Sequence, residues 1–154
     1  MRPQLPPDGF RILFLDDDPS RAAAFLGGHP DAVWVQTADE CLARLAEPWD
    51  EVHLDHDLGG EVHVDHDRVD CGMGVVRWLD LEPRPYLQAA RFFVHTHNLN
   101  AACLMALHLQ GMGFTVEVRP FAMDPPGTST RRPLASRVLR RLRSFWGRRP
   151  AYRS

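Results

Sequence analysis

Residues 51–67 spell nearly the same phrase twice: EVHLDHD, then Leu-Gly-Gly, then EVHVDHD. Each copy carries two histidines and two aspartates within five positions. Carboxylates packed so closely repel one another unless a cation or protons intervene, so the pattern indicates a metal or phosphate site. A local duplication that left two polar hairpin arms without chemistry is the alternative.

Similar polar phrases follow two other apolar runs. RILFL (11–15) is followed by Asp16, Asp17 and Asp18, and RFFV (91–94) is followed by HTHN. Asp16 and Asp17 together with Asp55 offer the hard oxygen ligands that a divalent cation, Mg²⁺ or Mn²⁺, prefers. The aspartate triplet by itself is equally typical of a solvated turn that caps a helix.

The elements that must position these residues alternate along the chain. Helices are predicted to begin after Asp18, at the T-x-x-E capping box of Thr37, at Gly72 and at Leu99. Strands are predicted at 11–15, 32–35, 52–54, 91–94 and 114–118. This alternation predicts an α/β fold with a doubly wound five-stranded parallel sheet. Such folds bind ligands beyond the carboxyl ends of their strands, so the polar phrases should meet at one edge.

The HTHN phrase after the fourth strand can serve a phosphate ligand. Thr96 can hydrogen-bond a phosphate oxygen, and His95 or His97 can exchange protons near neutral pH. Asn98 can cap the following helix or orient a ligand. A polar strand-to-helix turn capped by Asn98 is the competing interpretation for the histidines.

Alternation along the third strand separates its polar side chains. His53, Asp55 and Asp57 should share one side, and we expect His53 to be a partly buried strand histidine. The direction of His56 stays open because it follows the strand end. Arg119, after the fifth strand, can hold a phosphate or an aspartate through two parallel hydrogen bonds, or form a surface ion pair.

Taken together, these residues resemble the receiver domain of two-component response regulators. The resemblance implies that Asp16 and Asp17 bind a metal, that Asp55 accepts a phosphoryl group and that Thr96 binds phosphate. Arg119 stands where receivers carry a lysine. That departure argues against ordinary receiver switching, because a guanidinium fork is not a point charge.

Three phrases resemble a more specific group: LDHDLG (54–59), GMGVVRWL (72–79) and VHTHN (94–98). They resemble the cyclic-phosphate processing receiver domain family, over roughly residues 11–121. That family consists of modified receivers with added histidine and is predicted to act on cyclic or other phosphoesters. The resemblance therefore implies a flavodoxin-like receiver fold and a phosphoester or cyclic nucleotide ligand.

The leading functional hypothesis is a metal-dependent phosphoesterase. A divalent cation held by Asp16, Asp17 and Asp55 would polarise a phosphoryl oxygen and activate water. His56 or His95 would supply the general acid or base. Ligand binding and orientation would fall to the remaining polar residues of the strand ends: Thr96, Asn98, Arg119, Asp57 and His97.

Two other functions stay open at this point. In the first, the chain is a signalling receiver whose Asp55 is phosphorylated by a histidine kinase. In the second, it is a degenerate receiver that serves as an interaction scaffold, against which the intact acids argue. The second copy, EVHVDHD, is expected to form a hairpin or lid at 59–71, and a second metal site there is the alternative.

Charge divides the chain unevenly. Met1–Val118 contains 19 acids and 8 arginines, whereas Arg119–Ser154 contains 10 arginines and one acid. Residues 134–146 predict a basic amphipathic helix that closes the domain by packing on the sheet; binding to an anionic membrane surface is the alternative. Residues 1–10 are expected to be an extension, 122–133 a loop and 147–154 a frayed tail.

Cysteine usage and hydropathy bear on the compartment. The three cysteines lie far apart and form no C-x-x-C pair, which is typical of reduced thiols in a cytoplasmic protein. Every apolar run is well short of the ~20 residues of a membrane span, so no transmembrane segment is expected.

Overall fold

The computed structural model describes residues 9–121, which form a single parallel sheet flanked by helices. The strands are β1 (Ile12–Leu15), β2 (Val33–Val35), β3 (Glu51–Leu54), β4 (Arg91–Val94) and β5 (Thr115–Val118). The helices are α1 (Pro19–Gly28), α2 (Ala38–Arg44), α3 (Gly72–Asp80) and α4 (Leu99–Gly111), with a 3₁₀ turn at Pro85–Leu87. The strand order is β2-β1-β3-β4-β5 and all pairs are parallel, so the predicted doubly wound receiver-like α/β fold is confirmed.

Local sequence signals fix where the helices begin. Asp18 caps α1 by accepting hydrogen bonds from the backbone N–H groups of Ser20 and Arg21, at 2.7 and 3.2 Å. Thr37 and Glu40 form the expected capping box at the start of α2. These side chains satisfy backbone donors that have no partner within the helix, so α1 and α2 each start within a few residues of the preceding strand.

The two faces of the sheet differ in chemistry. Leu13, Leu15 and Leu54 are fully buried in the apolar core beneath α2, α3 and α4. On the other face, Phe14 stacks on Phe25 of α1 with ring centroids 4.1 Å apart. His53 lies on that same face, as alternation along β3 predicted, and its ring is 4.8 Å from the ring of Phe25.

The second copy of the repeated phrase does not form a strand. Residues 59–71 contain no strand, so the hairpin form of the segment expected there is absent, and the lid stays a prediction. Gly59 and Gly60 both have positive φ angles, 78° and 73°, and they turn the chain back toward the sheet edge. Both edges of β3 are already paired with β1 and β4, which leaves the second copy no partner strand beside the first.

The predicted basic helix at 134–146 lies outside the described residues, as do the predicted N-terminal extension as far as residue 8, the loop at 122–133 and the tail. Within residues 9–121, no helix is long and apolar enough to cross a membrane. The three cysteines are unpaired.

Candidate functional site

The polar strand ends meet at one edge of the sheet because the ladder of backbone hydrogen bonds continues one residue beyond the strands. The Asp55 N–H donates to the Leu15 carbonyl at 2.9 Å, and the His95 N–H donates to the Leu54 carbonyl at 2.9 Å. Asp16 and Asp55 therefore emerge side by side, at the switch point between β1 and β3. This is the position where doubly wound sheets bind ligands.

Three carboxylates form a compact cluster at this switch point. Asp16, Asp17 and Asp55 each place an oxygen within 4.8 Å of the others. Asp16 is fully buried and Asp55 is 4% exposed. Burial, and then the neighbouring Asp16 carboxylate, raise the pKa of Asp55 to about 6. The raised pKa of Asp55 means that the surrounding protein does not fully stabilise the negative charge of the cluster.

Arg21, which the sequence reasoning missed, lies among these carboxylates. Its Nε and Nη2 donate to the two oxygens of Asp16 at 2.8 and 2.7 Å, and Nη2 also donates to Asp55 Oδ2 at 2.9 Å. Asp17 is 3.6 Å from the same nitrogen. The bond to Asp16 raises the pKa of Arg21, so the guanidinium stays charged. Its position in the first turn of α1, four residues after Asp17, was the available signal.

The carboxylate cluster has the donor set that a hard divalent cation requires. Oxygen atoms of three side chains converge from two strand ends. The Arg21 guanidinium faces the three carboxylates of the cluster and also Asp18, so negative charge remains in excess even with Arg21 in place. Asp16, Asp17 and Asp55 could therefore hold a Mg²⁺ or Mn²⁺ ion, which would have to displace hydrogen bonds from Arg21.

A cavity of about 460 Å³ opens above the cluster. Its wall includes Asp17, Asp55, Arg21, Thr96 and His97. The Thr96 hydroxyl accepts a hydrogen bond from the backbone N–H of the residue two positions later, at 3.2 Å, which fixes its place at the end of β4. A ligand in this cavity would meet carboxylates, a guanidinium and a hydroxyl within one wall.

Asn98 and Asp57 also line the cavity and have structural tasks there. Asn98 Oδ1 accepts a hydrogen bond from the Ala101 N–H at 3.2 Å and caps α4, which is one of the two roles predicted for Asn98. Asp57 accepts from the backbone N–H groups of His63 and Val64 at 2.9 and 3.0 Å. Asp57 therefore fixes the loop of the second copy against the end of the first.

The sequence profile of the cyclic-phosphate processing receiver domain family matches residues 11–111. The chain belongs to this family. The match spans β1 through α4 and so includes the carboxylate cluster, Arg21 and Thr96. The resemblance noted in the LDHDLG and VHTHN phrases is confirmed. A search of curated proteins found no match to the chain.

The two histidines predicted to be catalytic do not line the cavity of this receiver domain. His56 is fully buried on the α3 side of the sheet, where its Nε2–H donates to the Val64 carbonyl at 3.0 Å. His95 is 6% exposed on the α1 side, and its Nδ1–H donates to the Arg119 carbonyl at 2.7 Å. Because successive side chains along a strand point to opposite faces, the His56 and His95 rings lie against the two faces of the sheet, and neither lies over its edge.

His53 and His95 form a buried pair on the α1 side. His53 Nδ1 and His95 Nε2 are 2.7 Å apart, and the two rings stack with centroids 5.0 Å apart. Burial lowers the pKa of His95 to about 4 and, together with His95, that of His53 to about 2. With His95 Nδ1–H bound to a carbonyl, the neutral pair is held together by the Nδ1–H of His53.

Arg119 also lies away from the cavity wall. Its Nε and Nη2 form two parallel hydrogen bonds to the Glu117 carboxylate at 2.7 and 2.8 Å, and its guanidinium covers the ring of Phe93. Arg119 thus forms the surface ion pair that was predicted as its alternative role. The histidines that do line the cavity are His97, which was predicted, and His63, which was not.

Proposed function

We propose that this receiver domain is a metal-dependent phosphoesterase that acts on a cyclic phosphate. The observation that supports it best is the shared cavity: its wall contains Asp17 and Asp55 of the carboxylate cluster and also Thr96 and His97. Cation ligands, a hydroxyl donor and a proton carrier are the parts that phosphoester hydrolysis needs. The family's own description supports the substrate class.

Each residue has a task in this proposal. Asp16, Asp17 and Asp55 would hold the divalent cation, which supplies Lewis-acid polarisation of the phosphoryl group when it is bound. Thr96 would donate to a non-bridging oxygen. Arg21, once released from Asp16 and Asp55, would remain in the cavity wall as a second positive group for the phosphate. The catalytic roles predicted for His56 and His95 remain predictions. Neither residue lies in the cavity wall.

A second candidate function is phosphorylation of Asp55 as in a signalling receiver. Its support is the position of Asp55 at the end of β3, beside Asp16 and Asp17 and in one cavity with Thr96. Arg119 argues against this function, because its guanidinium pairs with Glu117 and its side chain is 52% exposed. The receivers that this chain resembles carry a lysine at this position, and a guanidinium fork is not equivalent to that point charge.

One experiment separates the two functions. The full chain is incubated with adenosine 2′,3′-cyclic phosphate in Mn²⁺, in Mg²⁺ and in EDTA, beside the variants Asp17→Asn and Thr96→Val. The proposal expects a ring-opened monoester only with metal, and much slower formation in both variants. A stable acyl phosphate on Asp55 from acetyl phosphate, with no ester cleaved, would instead establish the signalling function.

A further inference from the structure

The loop of residues 60–64 is fastened to the strand ends at four points. The Gly60 N–H donates to Asp17 Oδ2 at 2.5 Å, and Asp57 accepts from two further backbone N–H groups of the loop. His56 donates from its ring to the Val64 carbonyl, and Val64 itself is 6% exposed. A surface loop can connect two elements without such hydrogen bonds. We therefore infer that these four contacts hold the loop in one conformation beside the cavity.

The loop presents His63 to the cavity. His63 lies in the cavity wall, and its φ angle is 55°, the only positive value at a non-glycine residue in the described part of the chain. Left-handed backbone is disfavoured for residues with a Cβ, and residues held in such sparsely populated conformations cluster at binding and catalytic sites. Here it is imposed by the two hydrogen bonds from His63 and Val64 to Asp57.

The surroundings of His63 suit a proton donor. Carboxylates of Asp17, Asp55, Asp57 and Glu61 share its cavity wall. The other charged or titratable groups of the wall are Asp18, Arg21 and His97. An imidazolium can transfer its proton to the leaving oxygen of a bound ester.

We propose that His63 contacts the phosphoester in this cavity and is its general acid, an inference that rests on the proposed function. A water oxygen forms the new bond to phosphorus and releases its proton to solvent. The bond between phosphorus and one ribose oxygen breaks, and that oxygen takes the proton of the His63 imidazolium. The product is a ring-opened monoester, and His63 regains its proton from solvent.

This assignment explains why the phrase occurs twice. His56 and Asp57 of the first copy hold the backbone of the second copy through hydrogen bonds to Val64 and His63. His63 of the second copy, the counterpart of His53, thereby lies in the wall of the cavity that Asp17 and Asp55 also line. His66, the counterpart of His56, is exposed and lies outside the cavity wall, so it provides a matched control.

The test compares His63→Asn with His66→Asn, because asparagine tolerates left-handed backbone but does not titrate. With adenosine 2′,3′-cyclic phosphate and Mn²⁺, His63→Asn should lower kcat by about a hundredfold to ten-thousandfold. It should also remove the loss of rate that the wild type shows as the pH rises. His66→Asn should match the wild type. Wild-type turnover in His63→Asn would overturn the assignment.

A binding measurement keeps this inference separate from the proposed function. Inorganic phosphate is titrated into the full chain while the imidazole nitrogens are followed by ¹H–¹⁵N NMR. The ring signals of His63 should move and those of His66 should not. If the wild type cleaves no phosphodiester but the His63 signals move, the proposed function is wrong and the contact of His63 stands. If the His63 signals do not respond to phosphate, the inference is overturned.

Discussion

Replacement of Arg21 by methionine tests how the carboxylate cluster is neutralised. The side chain donates three hydrogen bonds to Asp16 and Asp55, at 2.7 to 2.9 Å, and is itself 30% exposed. Removing one partner of a buried ion pair costs about 3–5 kcal/mol, and the partial exposure of Arg21 places the expected loss near the lower end, about 3 kcal/mol. Arg21→Met should therefore be less stable than the wild type in EDTA.

Divalent metal should reverse much of that loss. In the wild type a cation must displace hydrogen bonds from Arg21, whereas in Arg21→Met the carboxylates have no resident counter-ion. Since each 1.4 kcal/mol corresponds to about a tenfold change in affinity, the Kd for Mn²⁺ should fall at least tenfold. Arg21→Lys keeps a positive charge and should show an intermediate Kd.

The assays for Arg21 are urea denaturation followed by circular dichroism, in EDTA and in Mn²⁺, and calorimetric titration of Mn²⁺. Equal stability of Arg21→Met and the wild type in EDTA would contradict the buried pairing. An unchanged or weaker Mn²⁺ affinity in Arg21→Met would show that the arginine and the metal do not compete for the same carboxylates.

Two further predictions concern the framework of the site. The pKa of His95 is lowered to about 4 by burial, below its unfolded value, so the stability it contributes is complete above pH 6.5 and is lost as the pH falls toward 4. By urea denaturation, the loss in the wild type should exceed the loss in His95→Asn by about 3 kcal/mol. His53, whose pKa burial also lowers, and Asp55, whose raised pKa acts with the opposite sign, titrate in both proteins, so only the difference between the two proteins is assigned to His95. Gly72→Ala should destabilise the fold by about 1–3 kcal/mol or more, because its Cβ would lie 2.2 Å from the Asp55 carbonyl oxygen. Gly27→Ala, which would meet nothing within 4 Å in α1, should be neutral or up to about 1 kcal/mol more stable in the same assay.

The sequence was sufficient for the fold because the signals that determine it are local. The strands β1, β2 and β4 are short, largely apolar runs followed by polar residues, and the caps at Asp18, Thr37 and Asn98 lie where their patterns predicted them. The parallel arrangement then follows from strand–helix alternation, since parallel strands need crossover connections. Convergence of Asp16, Asp17 and Asp55 is a consequence of that arrangement.

Side-chain directions at the sheet edge could not be read from the sequence in the same way. Arg21 reaches Asp55 only because β1 and β3 are neighbours, a long-range fact. The two copies of the repeated phrase adopt different structures, one as β3 and one as a loop, because only the first finds partner strands. The position of His63 therefore depends on Asp57 and Val64 and not on its own local pattern.

Crystals of the full chain soaked with Mn²⁺ and a non-hydrolysable cyclic phosphate analogue would test the central claim most directly. Anomalous scattering identifies manganese without assumptions about its ligands. The account predicts a single strong peak bound by oxygens of Asp16, Asp17 and Asp55, with Arg21 turned away from Asp55 and the phosphate beside Thr96. Absence of a peak at this cluster, or a peak only at the exposed Asp65–Asp67 segment of the second copy, would contradict it.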